Sequence, residues 1–488
     1  MALMSARTLV LHIALVFVLS PAFTAGALSS PQSLPKGQII EKVTCAKNPQ
    51  ESYALYLPST YDPARKWPIL YAFDPGARGK IPVATFQNAA EKFGWIVVGS
   101  NNSRNASGQS SVDAWDAITT DVAERFSIDD RRTYATGFSG GARIALFFAT
   151  RCDCLAGVIA SGAGFPSSIT PDPAMHFSIF AAVGHDDFNF AEVKSLEEPL
   201  TKSRIAHRVE TFAGRHDWLP SPLAVKAVEW LELQAIKSGR RDRSEQFIEA
   251  AWQNNMQDAR SLEAAKNPFE AFHAYRTIVE TFAGLHNITE AESKLTAYQN
   301  AREVKDALRD EKQQISRQRE LENRFWALVA ERDSSKRQED RDSQNNSQPD
   351  SGADASVRLR SLLSNLRKES EGADDSGNRR VARRVLSGIM VGLFERGTDL
   401  LEARKQYPEA IKTFQLLTEV HPDRAGGFYY LAWAYAANGD KKRALESLRT
   451  AASKGFSDLA AISDNKAFDP LIADPQFQSI LQTIRDKK

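Results

Sequence analysis

Between residues 38 and 236, short apolar runs alternate with helical patterns, and this alternation limits the fold more than any other feature of the chain. Pro68-Ile69-Leu70-Tyr71-Ala72-Phe73 is nearly continuous in apolar character, as a strand covered on both faces must be. Tyr53–Leu57, Trp95–Gly99, Thr133–Gly137, Gly157–Ala160, Ser178–Val183 and Val209–Phe212 read as further strands. Helices fit Val112–Phe126, where Trp115, Ile118, Val122 and Phe126 share a face, then Ala142–Thr150, then the segment from Ala224 onward. Strands interleaved with helices imply βαβ units and an α/β fold with a mostly parallel sheet.

After Leu233 no strand pattern recurs and helical periodicity runs to the end, so the second half is expected to be all-α. Phe394, Leu401, Ala410 and Phe414 recur 34 residues later as Phe428, Tyr435, Ala444 and Leu448. This spacing of small and aromatic residues resembles the tetratricopeptide repeat, and the resemblance implies a concave helical surface for a protein or peptide. A weaker copy surrounds Ala271, Tyr275 and Ile278. Asp333 to Ala355 is rich in Asp, Ser, Gln, Asn and Arg and poor in apolar residues, which predicts a flexible charged linker. The expected division is a leader over 1–27, an α/β domain over 38–236, a helical region over 244–332, a linker over 333–380 and repeats over 385–485.

The leader is read from Arg7, the apolar run Leu9–Leu19, the break at Pro21 and the small residues Ala25-Gly26-Ala27. These are the parts of a secretory signal, and they predict export to the periplasm or the extracellular space. A retained membrane anchor is the other reading of the same run. Of the three cysteines, Cys152 and Cys154 are close in sequence, so Cys45 is expected in any disulfide. No histidine stands at metal-ligand spacing beside Cys152 and Cys154, so a metal is not expected there. A net charge of +1 with intermixed signs argues against a nucleic-acid partner.

Chemistry concentrates at Gly137-Phe138-Ser139-Gly140-Gly141. This G-x-S-x-G sequence closes an expected strand and opens an expected helix, which is the seat of a nucleophile elbow. There the helix N-terminus offers free N–H groups to a developing oxyanion. The elbow resembles that of the α/β-hydrolases, and the resemblance implies a general base and an orienting acid in the chain order Ser, Asp or Glu, His. Among eight histidines, His216 is favoured because it follows the last strand and precedes a helix, in Gly214-Arg215-His216-Asp217-Trp218. His207 opens a strand instead. Asp186 and Asp187 both follow the strand before it, and Asp187 is preferred on its G-x-x-D spacing from Gly184. Gly140 is expected to supply one oxyanion N–H. Gly76 or Ala77 is expected to supply the other, because Pro75 has none. Asn101, Asn102 and Trp218 are candidate pocket residues, each with an equally weighted reading as a surface turn or packing residue. Arg143 reads as a member of a structural ion pair.

Residues from about 50 to 235 resemble the exported esterase branch of the α/β-hydrolases, which includes polyhydroxybutyrate depolymerases and feruloyl or acetyl-xylan esterases. The carrying segments are Asp130 to Gly141, Gly184 to Asp187 and Gly214 to His216. The resemblance implies hydrolysis of a carboxylic ester through Ser139, Asp187 and His216, without metal or cofactor. The run Phe73-Asp74-Pro75-Gly76-Ala77-Arg78-Gly79 departs from the His-Gly-Gly-Gly loop of many lipases and esterases and leaves the ester unspecified. The other readings are a serine peptidase of the same fold and a non-catalytic hydrolase-like binding scaffold.

Overall fold

The computed structural model describes residues 34–105, 108–342, 351–372 and 375–486, with side chains undescribed at 335–342 and 351–353. The leader expected over 1–27 lies outside the described residues. From Lys36 onward the chain is one compact unit.

Eight strands form one sheet: β1 (Ile39–Thr44), β2 (Ser52–Tyr56), β3 (Trp67–Phe73), β4 (Ile96–Ser100), β5 (Ile128–Phe138), β6 (Gly157–Ser161), β7 (Ser178–Gly184) and β8 (His207–Phe212). Their order across the sheet is β1-β2-β4-β3-β5-β6-β7-β8. The β1–β2 and β2–β4 pairings are antiparallel. Every pairing from β4 to β8 is parallel. β1 has no counterpart among the expected strands. Only Val43 of it is buried, and an irregularity between Ile40 and Val43 breaks the alternation that would reveal it.

Helices α1 (Lys80–Phe93), α2 (Gly108–Arg125), α3 (Gly140–Arg151), α4 (Phe190–Lys194), α5 (Glu197–Lys202) and α6 (Ser221–Lys237) complete the α/β part. Successive residues of β3 serve opposite faces of the sheet. Leu70 joins Phe86, Trp95, Ile159, Phe180 and Leu231 in the core beneath α1 and α6. Tyr71 and Phe73 meet Trp115 of α2 and Phe148 of α3 on the other side. A strand buried on both faces has no reason to alternate in polarity, which explains its unbroken apolar run.

The remaining helices are α7 (Glu245–Ala264), α8 (Pro268–Phe282), α9 (Thr289–Asn300), α10 (Arg302–Asp342), α11 (Ser351–Ser370), α12 (Gly377–Thr398), α13 (Tyr407–Val420), α14 (Ala425–Ala437), α15 (Lys441–Ser453), α16 (Leu459–Ser463) and α17 (Pro475–Arg485). Trp252, Met256, Tyr275 and Phe282 close the core of α7 to α9 against Leu233 and Ile236 of α6. A second core runs from Phe325 and Leu328 of α10 through Leu363, Val385, Ile389, Phe414 and Leu448 to Ile484. α10 therefore crosses the boundary expected at residue 332.

The linker expected over 333–380 is corrected by these helices. Leu359, Leu362, Leu363 and Leu366 of α11 are buried between α10 and α12. Their spacing makes one apolar helix face, enough to dock a segment whose average composition is polar. Residues 343–350 of that expectation lie outside the described residues. The cysteine expectation is also reversed. Cys152 and Cys154 form a disulfide with Cα atoms 5.1 Å apart, while Cys45 is a buried free thiol. α3 ends at Arg151, and the turn that follows brings two nearby cysteines within bridging range. Burial, reinforced by the neighbouring carboxylates of Asp121 and Glu51, pushes the Cys45 thiol up to about 11. Among the described residues no helix is long and apolar enough to cross a membrane, and no cluster of side chains could hold a metal ion.

Candidate active site

Three parallel strands deliver three side chains to one sheet edge. β5 ends at Phe138, and Ser139 turns the chain into α3 with φ 53° and ψ −121°. A non-glycine residue in this region is strained by about 1–3 kcal/mol, so the surroundings must enforce it. They do so by backbone crowding. A Cβ on Gly137 would lie 2.1 Å from the carbonyl of Gly141, and one on Gly141 would lie 2.0 Å from the Phe73 carbonyl oxygen. Only glycines permit β3, β5 and α3 to cross so closely. The Ser139 N–H is fixed to the Ser161 carbonyl at 2.8 Å.

His216 follows β8, and its Nε2 lies 2.9 Å from Ser139 Oγ. Its Nδ1 lies 2.8 Å from Asp187 Oδ1. An ionised carboxylate only accepts, so Nδ1 carries the proton and Nε2 is left to accept from the serine hydroxyl. The ring is gripped between Phe138 and Phe188, with centroids at 4.5 and 4.2 Å. Asp187 is fully buried, and its Oδ1 also accepts the Asn189 N–H at 2.8 Å. Asp186, the other candidate acid, instead pairs with Arg383 of α12 at 2.8 Å. His185 is held by Thr211 at 3.1 Å, and burial together with Arg380 and Arg384 lowers its proton affinity.

The loop after β3 is organised by the residue that departs from the esterase pattern. Asp74 is buried and takes four donor contacts: the Gly76 N–H at 2.9 Å, Arg78 Nε at 2.7 Å, Arg78 Nη2 at 3.1 Å and Trp218 Nε1 at 2.9 Å. The Ala77 N–H donates to the Asp74 carbonyl at 3.1 Å. Gly76 and Ala77 are thus both engaged within the loop, which corrects the expectation that either offers a free oxyanion donor. An aspartate at this place closes a local turn on the amides that a His-Gly-Gly-Gly loop would leave open. Gly140, the first residue of α3, keeps an N–H that precedes the intrahelical bonds.

The candidate pocket residues separate by role. The Asn101 side chain donates to the Glu41 carbonyl at 3.1 Å. Asn102 accepts the Ser52 N–H at 3.0 Å and donates to the Gln50 carbonyl at 2.9 Å. Both therefore brace the β1–β2 edge, which corrects their assignment to the substrate. Trp218 is buried, bonds Asp74 and lies 5.9 Å from the Phe138 ring, so it ties the β3 loop to the wall beside His216. Arg143 pairs with both oxygens of Glu192 at 2.7 and 2.8 Å, as the ion-pair reading expects.

Asn105 was not singled out by its sequence. Its side chain lies over Gly140, where an added Cβ would sit 1.8 Å from Oδ1. Pairing of Arg104 with Gly76, and of the Asn105 N–H with the Pro75 carbonyl, brings it there. No local motif announces such a contact.

Residues 101–219 match the Dienelactone hydrolase family, and residues 427–454 match a tetratricopeptide repeat. The sheet part of the chain has the α/β-hydrolase fold. Among solved structures, the hydrolase domain is similar to an S-formylglutathione hydrolase from Staphylococcus aureus at 14% identity, covering 41% of this chain and 98% of that one with a TM-score of 0.33. It is similar to an esterase from Pyrobaculum calidifontis at 12% identity, covering 41% and 87% with a TM-score of 0.34. A feruloyl esterase module from Clostridium thermocellum complexed with sinapinate is 17% identical, covering 39% and 85% with a TM-score of 0.31. No curated protein matches the chain.

Proposed function

We propose that this protein is an exported serine hydrolase that cleaves carboxylic esters through Ser139, His216 and Asp187. The continuous hydrogen-bonded path from Ser139 Oγ through both ring nitrogens of His216 to Asp187 carries the reading. In the proposed reaction Ser139 Oγ attacks the ester carbonyl carbon while His216 Nε2 takes the hydroxyl proton. Asp187 stabilises the resulting imidazolium. The carbonyl oxygen, now negative, is met by the Gly140 N–H at the start of α3. As the tetrahedral intermediate collapses, His216 returns the proton to the leaving alkoxide and the acyl group remains on Ser139. Water, deprotonated by His216, then releases the acid and regenerates the serine.

Export is supported by the leader-like N-terminus and by the Cys152–Cys154 disulfide, a bond that persists in oxidising compartments. The repeats are proposed to dock a protein or peptide. Their match at 427–454 and the partly buried aromatics Tyr430 and Trp433 of α14 support this.

Ser139→Ala tests the catalytic reading. It should leave thermal unfolding unchanged and lower p-nitrophenyl acetate turnover by at least about 1,000-fold. Turnover equal to wild type would exclude Ser139 as nucleophile. A second reading, a non-catalytic scaffold, is favoured by the engagement of the Gly76 and Ala77 amides. It requires the wild-type protein itself to turn over no ester.

A further inference from the structure

The loop that carries the acid Asp187 is bonded from two sides, by the hydrolase domain and by the helical region. The loop leaves β7 at Gly184 and enters α4 at Phe190. Inside the domain it is tied by the His185 N–H to the Phe212 carbonyl and the Asp186 N–H to the Gly214 carbonyl, each at 2.9 Å, by turn bonds from Asp187 to Gly184 and from Phe190 to Asp187, and by Asn189 Nδ2 to the Gly162 carbonyl at 2.7 Å. The carbonyls on either side of the acid turn outward to the helical region. Arg384 Nε of α12 donates to the His185 carbonyl at 2.5 Å. Gln318 Nε2 of α10 donates to the Phe188 carbonyl at 2.7 Å. Phe188 is the residue whose ring lies 4.2 Å from His216, so Gln318 holds the backbone of one wall of the imidazole.

Both side chains are costly to place where they are. Gln318 and Arg384 are each only 1% exposed. The Arg384 guanidinium stacks 3.6 Å from the centre of the Phe190 ring, and no carboxylate bonds it directly among the described residues. Burial lowers its proton affinity to about 10. Asp186, Glu311 and Asp187 offset part of the burial without bonding it, yet a buried cation with no bonded counter-ion is expensive, and an apolar residue of similar volume would dock two helices more cheaply. Retaining donors here makes sense where the two carbonyls need partners.

We propose that Gln318 of α10 and Arg384 of α12 are positioning residues of the hydrolase centre: by fastening the carbonyls that flank Asp187, they hold the Asp187–His216 pair in register. The proposal rests on the ester-hydrolase reading for its kinetic consequence, but its structural core does not. The helical region then acts in the reaction through the acid loop, and the α/β half is an incomplete enzyme without it. Loss of the anchors leaves Ser139 and Gly140 in place and loosens the acid, so the deficit falls on proton transfer and not on substrate binding.

The test uses the full chain with Gln318→Leu, Arg384→Met and Arg384→Lys, the last retaining a donor for the His185 carbonyl. Steady-state kinetics on p-nitrophenyl acetate and backbone hydrogen exchange over residues 185–193 are measured together. In Gln318→Leu and Arg384→Met, kcat should fall about 10- to 100-fold with KM changed by less than about twofold, as for a misplacement near 1 Å. Exchange over 185–193 should accelerate at least about tenfold while the strands keep wild-type protection. Arg384→Lys should recover most of both losses. Wild-type kcat and exchange in both apolar variants, folded as judged by strand protection, would overturn the proposal. A raised KM with unchanged kcat and exchange would do the same, as would global loss of protection in both, which would make the anchors merely structural. If the wild-type protein turns over no ester, the hydrolase reading fails separately, and local acceleration of exchange still decides the positioning role.

Discussion

Replacing Asp74 by Asn should damage the protein far more than the loss of one charge at a surface would. The carboxylate receives Gly76 N–H and Arg78 Nε on one oxygen and Trp218 Nε1 and Arg78 Nη2 on the other. An Asn side chain has nearly the same shape but offers one acceptor oxygen and one amino group. Turned either way, the amino group opposes two donors. The Arg78 contacts count for little, because that side chain is 56% exposed and water can replace its partner. The remaining loss is one donor left facing another: Trp218 Nε1, which is buried, or the Gly76 N–H, which is only partly so. That costs about 1–3 kcal/mol, the upper end applying to the buried Trp218 donor. For a cooperative unit of 150–250 residues this corresponds to a Tm lower by roughly 2–12 °C. Activity should fall as well. Asp74 connects the loop beside the nucleophile to Trp218, two residues beyond His216, and a shift of that connection is expected to reduce kcat by about tenfold. Thermal unfolding followed by tryptophan fluorescence, with p-nitrophenyl acetate turnover on the same preparations, measures both effects. A variant that melts within about 1 °C of wild type and keeps its kcat would refute the view that Asp74 organises this edge.

Other perturbations separate packing from chemistry. Gly141→Ala should abolish folding of the hydrolase domain, since its Cβ would meet the Phe73 carbonyl oxygen at 2.0 Å, and soluble expression reads this directly. Gly140→Ala should remain soluble, because its Cβ meets only the end of the exposed Asn105 side chain. Asp187→Asn should lower kcat by about 10⁴-fold with an intact fold, because an amide facing Nδ1 favours the wrong imidazole tautomer. Asp186→Asn should change kcat much less, since it loses only its pair with Arg383, and the two variants are compared on one ester. Stability should also fall on acidification below pH 6.5. Burial, with Arg276 and Lys194 nearby, pushes His273 down to about 3, so between these values the unfolded chain binds a proton that the folded one refuses. The stabilising effect of this group is complete above 6.5 and is lost as pH falls toward 3. Denaturant unfolding from pH 7 to 4.5 should show a smaller loss in His273→Gln than in wild type.

The hydrolase half was legible because its strands are covered on both faces. Pro68–Phe73 and Ser178–Val183 had to be apolar throughout, and the turns that follow them lie at the edge where the site forms. Ser139 and His216 both stand just past strand ends, but singling out His216 among eight histidines also draws on the Ser, Asp or Glu, His order that the resemblance implies. Preferring Asp187 to Asp186 draws on the G-x-x-D spacing of the resembling enzymes; one residue earlier along that turn, the Asp186 side chain points into the helical region instead. The contacts across chain segments were not legible. That Gly76 and Ala77 bond to Asp74, or that Asn101 and Asn102 face the β1–β2 edge, depends on loop pairing such as Arg104 with Gly76. The α11 helix was hidden by averaging. Four leucines on one face suffice for docking while the surrounding composition stays polar. The bonds from Gln318 and Arg384 span more than a hundred residues, and no local pattern predicts them.

The central claim is that Ser139 is a nucleophile activated by His216. Intact-protein and peptide mass spectrometry after brief exposure to a fluorophosphonate tests it most directly. The account predicts one adduct per chain, on the peptide containing Ser139, absent in Ser139→Ala and formed at least about 1,000-fold more slowly in His216→Ala. An unlabelled wild-type protein, or an adduct that persists in Ser139→Ala, would contradict it.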